Sequence, residues 1–230
     1  MKKFFITSIS VCLIIIACND KSKKESKAEI VPEDSSRSVD RKADSLLKAK
    51  NFQDSIQFLH RKDSVLLRLT QNILMTLKNK NYSAFANYIH PVQGIRFSPY
   101  AYVDTINDIK FSKQRFINEA GKAEQDMIVW GAFDGTGDPI RMKMNNYMQR
   151  FVYDVDFIKP ENRSVNKFIS GGNSLNNLDS VYKGCDFTES HFSGFEKKYE
   201  GHDWRTLRLV FKERNGKFFL VGIVHDEWTI

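Results

Sequence analysis

A carboxylate and an imidazole stand two positions apart, Glu189 and His191, in the run Asp186 to Phe192, whose alternation of side chains is that of a β-strand. On a strand both leave the same face, so the pair could exchange a proton in acid/base catalysis or supply two ligands to a metal. No third ligand stands at a spacing that would complete a metal centre, and neither metal nor cofactor is expected. A second constellation closes the chain. Arg205, Asp226 and Trp228 lie near the open end of a long hairpin, where Asp226 is a candidate general base in a pocket. An Arg205 partner would lower its pKa and weaken it in that role, and a structural ion pair is the preferred reading. Trp130 and Arg96 complete the pocket candidates, because rings beside a guanidinium suit an apolar or carboxylate-bearing ligand.

Other motifs carry less. Asp134-Gly135-Thr136-Gly137-Asp138 lacks the spaced oxygen ligands of a calcium loop and reads as a tight connection between strands. Gly171-Gly172 has no phosphate-loop spacing and reads as a turn. His90, before Pro91, reads as a helix-end residue, and His225 as a hydrogen-bonded surface or interface histidine. Of three cysteines, Cys12 and Cys18 fall in the N-terminal segment, and Cys185, alone beside aromatic residues, reads as a small buried apolar group.

The elements that must position these residues follow from periodicity. Asn215-Gly216 between two β-branched and aromatic runs predicts a hairpin with a type I′ turn, in which Arg214 faces Lys217. Carried without a bulge, that register sets Arg205 opposite Asp226 as a cross-strand ion pair. It puts Leu207, Leu209, Phe211, Leu220, Val224 and Asp226 on one face. The other face, with Val210, Ile223 and His225, is also too apolar to lie in water, so both faces need a cover. Upstream, apolar residues at three- and four-residue steps predict a helix from Val39 to Leu59 and another from Asp63 or Ser64 to Lys80. Asn81 and Ser112 are helix caps, and Asn145 to Val152 is a helix with Tyr147, Met148 and Phe151 inward. Ile95 to Ser98, Tyr100 to Val103, Ile109 to Phe111, Asp126 to Phe133 and Val165 to Ile169 read as strands or extended segments.

The formal charge of +7 resolves into two from the N-terminal lysines, three from residues 19–62 and two from residues 63–230. The folded part carries no basic stripe, and nucleic acid is not an expected partner. At the N-terminus, Met1-Lys2-Lys3 is followed by an apolar run from Phe4 to Ile16, too short to span a bilayer, and by Ile15-Ile16-Ala17-Cys18. This stretch resembles a bacterial lipoprotein signal with its lipobox. The resemblance implies cleavage before Cys18, acylation of that cysteine, a membrane-lipid partner and a lipid-anchored place in the bacterial cell envelope. The expected organisation is a signal peptide at 1–17, a disordered tether at 18–35, a helical linker at 36–62 and one folded domain at 63–230.

Within that domain, two helices ending at Tyr88-Ile89-His90-Pro91, together with the stretches RFSPYAYVDT, WGAFDGTGDPI and LRLVFKERNGKFFLVGIVHDEWTI, resemble the NTF2-like, or SnoaL-like, α+β cone found in uncharacterised bacterial lipoproteins. The resemblance implies N-terminal helices packed on a curved, mostly antiparallel sheet closed by the C-terminal hairpin. It carries no catalytic set, since this fold hosts enzymes, binding modules and oligomerisation domains. The expected function is a non-catalytic module that binds a small ligand or an envelope protein. The alternatives are a small hydrolase- or isomerase-like pocket enzyme using Asp226 or the Glu189/His191 pair, and a dimerising structural module.

Overall fold

The computed structural model of the protein describes residues 35–169, 171–172 and 174–229, with side chains from residue 44 onward. The signal, Cys18 and all but the last residue of the expected tether lie outside the described residues. The chain divides into two units, Met1–Ala49 and Lys50–Ile230. No helix among the described residues is long and apolar enough to cross a membrane.

The first helix, α1 (Ser35–Lys78), is continuous where two helices were expected. No glycine or proline falls between Val39 and Leu77 to interrupt it, and the Ser64 hydroxyl donates back to the His60 carbonyl, 2.9 Å, where a cap would have faced forward. Its second half docks: Leu66, Ile73, Leu74 and Leu77 are buried, each contributing about 2 kcal/mol of apolar burial. Thr70 meets Thr188 at 2.7 Å and Lys62 bridges Asp186 at 2.6 Å. By contrast Phe52, Phe58 and Leu59 remain exposed.

After Asn81, whose side chain accepts from the Ala84 amide as expected, come α2 (Tyr82–Phe85) and β1 (Ile95–Ser98). There follow β2 (Lys110–Phe111) and α3 (Lys113–Ala120), which is capped by Ser112. The middle of the chain holds β3 (Ile128–Ala132), β4 (Pro139–Met142), α4 (Met144–Phe151) and β5 (Asn162–Val165). The last elements are α5 (Leu178–Val181), β6 (Asp186–Phe192), β7 (Arg205–Arg214) and β8 (Lys217–Glu227). Two expectations shift. Tyr100 to Val103 is a bend, not a strand, and the strand expected at Val165 to Ile169 lies earlier, at β5.

This is an α+β fold. Six strands pair in the order β2-β1-β8-β7-β6-β5, antiparallel except between β1 and β8, and the sheet is not closed into a barrel; β3 and β4 form a separate ribbon. The final hairpin, expected to close the sheet, is its centre. One face of the sheet packs Leu207, Leu209, Phe211, Leu220 and Ile223 on α1 to α4. The other packs Phe187, Val210, Val221 and Val224 on Val103, Phe168, Leu178 and Tyr182. The second apolar face is therefore covered by Val103 and by Phe168, Leu178 and Tyr182 of the segment between β5 and β6.

Candidate functional site

The turn is as expected: Asn215 and Gly216 have φ of 53° and 73°, and Arg214 faces Lys217. Farther from the turn the expected register fails. Phe211 is opposite Leu220 but Val210 is opposite Gly222, so Val221 is an extra residue, a β-bulge, on β8. Beyond it every pairing slips by one and every side chain of β8 changes face. Arg205 is consequently opposite Glu227 and Asp226 opposite Thr206. The expected Arg205–Asp226 ion pair does not form. Ile223 and His225 join the helix-covered face, while Val224 and Asp226 turn to the other.

There Asp226 meets Arg208, 3.0 Å, and Arg208 also holds Glu189, 2.6 Å, all three buried in the sheet. Glu189 is held from above as well, by the Ile169 amide at 2.9 Å, and Phe168 lies over the guanidinium. Burial raises the pKa of Asp226 above the ordinary carboxylate value, against the pull of Arg208 and with a smaller push from Glu189. Its Oδ1 has no hydrogen-bond partner among the described residues. His191 leaves the same face of β6 as Glu189, as expected, but its Nδ1 bonds the Thr206 hydroxyl at 2.8 Å. Glu189 and His191 thus bond to different partners and not to each other. Trp228 is partly exposed and edge-on to His202, and Trp130 is a core residue, stacked on Tyr147 at 3.9 Å and donating to the Met142 carbonyl.

On the other face Asp154, His225 and Glu227 bring three ligand-type atoms within 4.8 Å of one another. Two guanidiniums already fill the place of a cation: Arg205 bonds Asp154 at 2.8 Å and reaches Glu227 at 3.3 Å, and Arg150 makes a two-pronged contact with Glu227. Burial alone would raise the pKa of Asp154, but His225 and Arg205 outweigh it and hold the carboxyl below its ordinary range. His225 is a buried member of this network and not a surface histidine. The cluster reads as an ion network that ties α4 and the following loop to the hairpin.

The cleft with the most chemistry lies elsewhere. Tyr100, Tyr102, Phe133 and Leu175 wall a space of about 560 Å³ into which Asp104, Asp108 and Asp134 face. The side chain of Asp104 caps its own loop, accepting from the Ile106 and Asn107 amides. Asp134 accepts from the hydroxyls of Thr229, 2.6 Å, and Ser174, 3.0 Å. Asp108 differs from both. It is 6 % exposed, and burial, only partly offset by the Asp104 amide that donates to its Oδ2 at 2.9 Å, pushes its pKa up to about 7. Gly131, at φ +145°, makes room for it: a Cβ there would stand 2.9 Å from Asp108 Oδ1.

The chain matches no protein-family model, no curated protein and no solved structure. None of Asp226, Trp228, Arg205, Glu189, His191, Trp130 or Arg96 lines the 560 Å³ cleft. Arg96 lines a separate recess and holds the 104–108 loop, its Nη1 donating to the Asp108 carbonyl at 2.8 Å. Sequence reasoning missed Asp108, which lies in the connection between two extended segments; a carboxylate buried in such a connection carries no local signature. Tyr100, Tyr102 and Phe133 were visible as aromatics and Asp134 as a loop residue, but nothing in their spacing joined them.

Proposed function

We propose that the protein is an envelope lipoprotein, anchored through acylated Cys18, whose folded unit is an NTF2-like, SnoaL-like cone that binds a small ligand without transforming it. The observation that carries the binding reading is the cleft of about 560 Å³, with tyrosines and a phenylalanine for walls and three carboxyl groups converging on it. Such a lining excludes anions and favours a neutral polyhydroxylated or cationic ligand with one apolar face. The lipobox residues Ile15 to Cys18 support the anchor, and helices packed on one face of a mostly antiparallel sheet support the cone.

A second reading, a pocket enzyme, is favoured by Asp108, because a carboxyl that titrates near pH 7 is suited to general acid/base work. One experiment addresses both. The full chain is screened against neutral and cationic small molecules by thermal shift, and each hit is followed by NMR for chemical change. Binding predicts a saturable rise in Tm that Tyr102→Ala abolishes while the ligand stays intact. A hit converted by the wild type and untouched by Asp108→Asn would replace the binding reading with the enzymatic one. Anchoring is tested by Cys18→Ala, which should move the chain out of the membrane fraction.

A further inference from the structure

Arg96 on β1 and Lys110 on β2 are directly opposed across the strand pair. Opposed residues share a sheet face, and two like charges in that position destabilise a sheet unless something stands between them. Lys183, just after α5, and Lys212, on β7, reach the same recess of about 370 Å³, which has no carboxylate in its lining. None of the four forms an ion pair with any described residue; the neighbouring Asp186 is taken by Lys62 and Asn166, and the Asp104 side chain by its own loop. The Arg96 guanidinium is held in place by three carbonyls, those of Asp104, Thr105 and Asp108, while the Asp104 and Asp108 carboxyls act on it through space without an ion-pair contact. At the back of the recess the buried Tyr182 hydroxyl stands beside Arg96. His90, close by, feels the same field: after burial, the charges of Arg214, Lys212 and Lys110 depress its pKa.

We propose that this recess binds a small molecule bearing a phosphate group. Four cations from four segments, with one planar fork already oriented, fit a compact oxyanion of two or more charges, and the volume leaves room for a small body attached to it. Bound phosphate would relieve the Arg96–Lys110 repulsion and tie the 104–108 loop to β7 and the end of α5. The recess shares no lining residue with the acidic cleft, although the 104–108 loop that Arg96 holds contributes Asp104 and Asp108 to that cleft.

The test is calorimetric titration of the full chain with inorganic phosphate at low ionic strength, with succinate and chloride as comparison anions. The expected result is saturable binding of phosphate at one site, weakened by on the order of tenfold in the double variant Lys110→Gln/Lys212→Gln. Those lysines make no contact that the fold depends on, so the double variant decides the matter, and Arg96→Gln, which also frees the loop, is the confirming variant. Absence of saturable heat at millimolar phosphate, equal affinity in the double variant, or succinate binding as tightly as phosphate would each overturn the assignment.

Discussion

Arg208 is the guanidinium that meets Asp226, at 3.0 Å and out of contact with solvent, because the extra residue Val221 turns Asp226 to the face of Arg208 and away from Arg205. Among the described residues one cation here serves two buried carboxylates, Asp226 and Glu189.

The first prediction follows from that imbalance. Removing one partner of a buried pair leaves an uncompensated charge, so Arg208→Met should cost about 3–5 kcal/mol at neutral pH by urea denaturation. Asp226→Asn should cost far less, since it removes the carboxyl whose pKa is already raised by burial. A raised carboxyl pKa means the native state holds the proton more tightly, so the loss in Arg208→Met should shrink as pH is lowered. An Arg208→Met protein as stable as wild type would mean the triad is solvated in solution.

Asp108 gives a pH prediction of defined sign. Its pKa rises from 3.8 to about 7, so between those values the folded chain binds more protons than the unfolded one, and stability falls as pH rises through the window. The full penalty above pH 7 is on the order of 4 kcal/mol, part of which an amide at this position would remove while retaining an acceptor for the Asp104 amide. The Asp108→Asn protein is expected to be about 2 kcal/mol more stable than wild type at pH 8 and to show little gain at pH 4. Asp104, Arg96 and Tyr147 surround the carboxyl, and the Asp104 charge pushes in the same direction as burial. Parallel stability curves for the two proteins would remove the buried, near-neutral carboxyl from consideration.

What could be read from the sequence was local. The Asn215-Gly216 turn, the Asn81 and Ser112 caps, β6 to the residue and the inward side of α4 all rest on interactions within a few positions. The hairpin register was right for the four pairs from Arg214↔Lys217 to Phe211↔Leu220 and wrong beyond, because Gly222, a strand glycine of the kind that marks a bulge, also fits an unbroken strand. Both α1 and the segment between β5 and β6 were misjudged for a related reason. Whether an amphipathic stripe breaks, or a Gly-containing loop covers a sheet, is decided by distant partners. The candidate site suffered most, since Tyr100, Asp108, Phe133, Asp134 and Leu175 come together only in space.

The docking of α1 can be tested through Thr70 and Thr188, whose buried hydroxyls are 2.7 Å apart. Thr70→Val strands the Thr188 hydroxyl and should cost about 1–3 kcal/mol, whereas the double change to valine removes both polar groups and should recover most of it. Stability of the two singles and the double by urea denaturation gives the coupling. Simple additivity would show that the hydroxyls are satisfied elsewhere.

Gly222 offers a sharper steric test. It sits on β8 opposite Val210, beside the bulge, and a Cβ built on it would stand 2.4 Å from the Tyr182 hydroxyl oxygen and 2.7 Å from the ring carbon that bears it. No alanine fits without displacing the ring that closes the second face of the sheet. Gly222→Ala should therefore destabilise the fold by about 1–3 kcal/mol, the cost of overpacking a filled core. Tyr182→Ala empties the same space and is destabilising for the opposite reason, a cavity. The added methyl group of the double variant enters that cavity, so the two losses should fall short of additivity by more than the ~0.5 kcal/mol seen for independent sites. Full additivity by urea denaturation would mean that Tyr182 does not rest on Gly222, and that the segment between β5 and β6 covers the sheet in some other way.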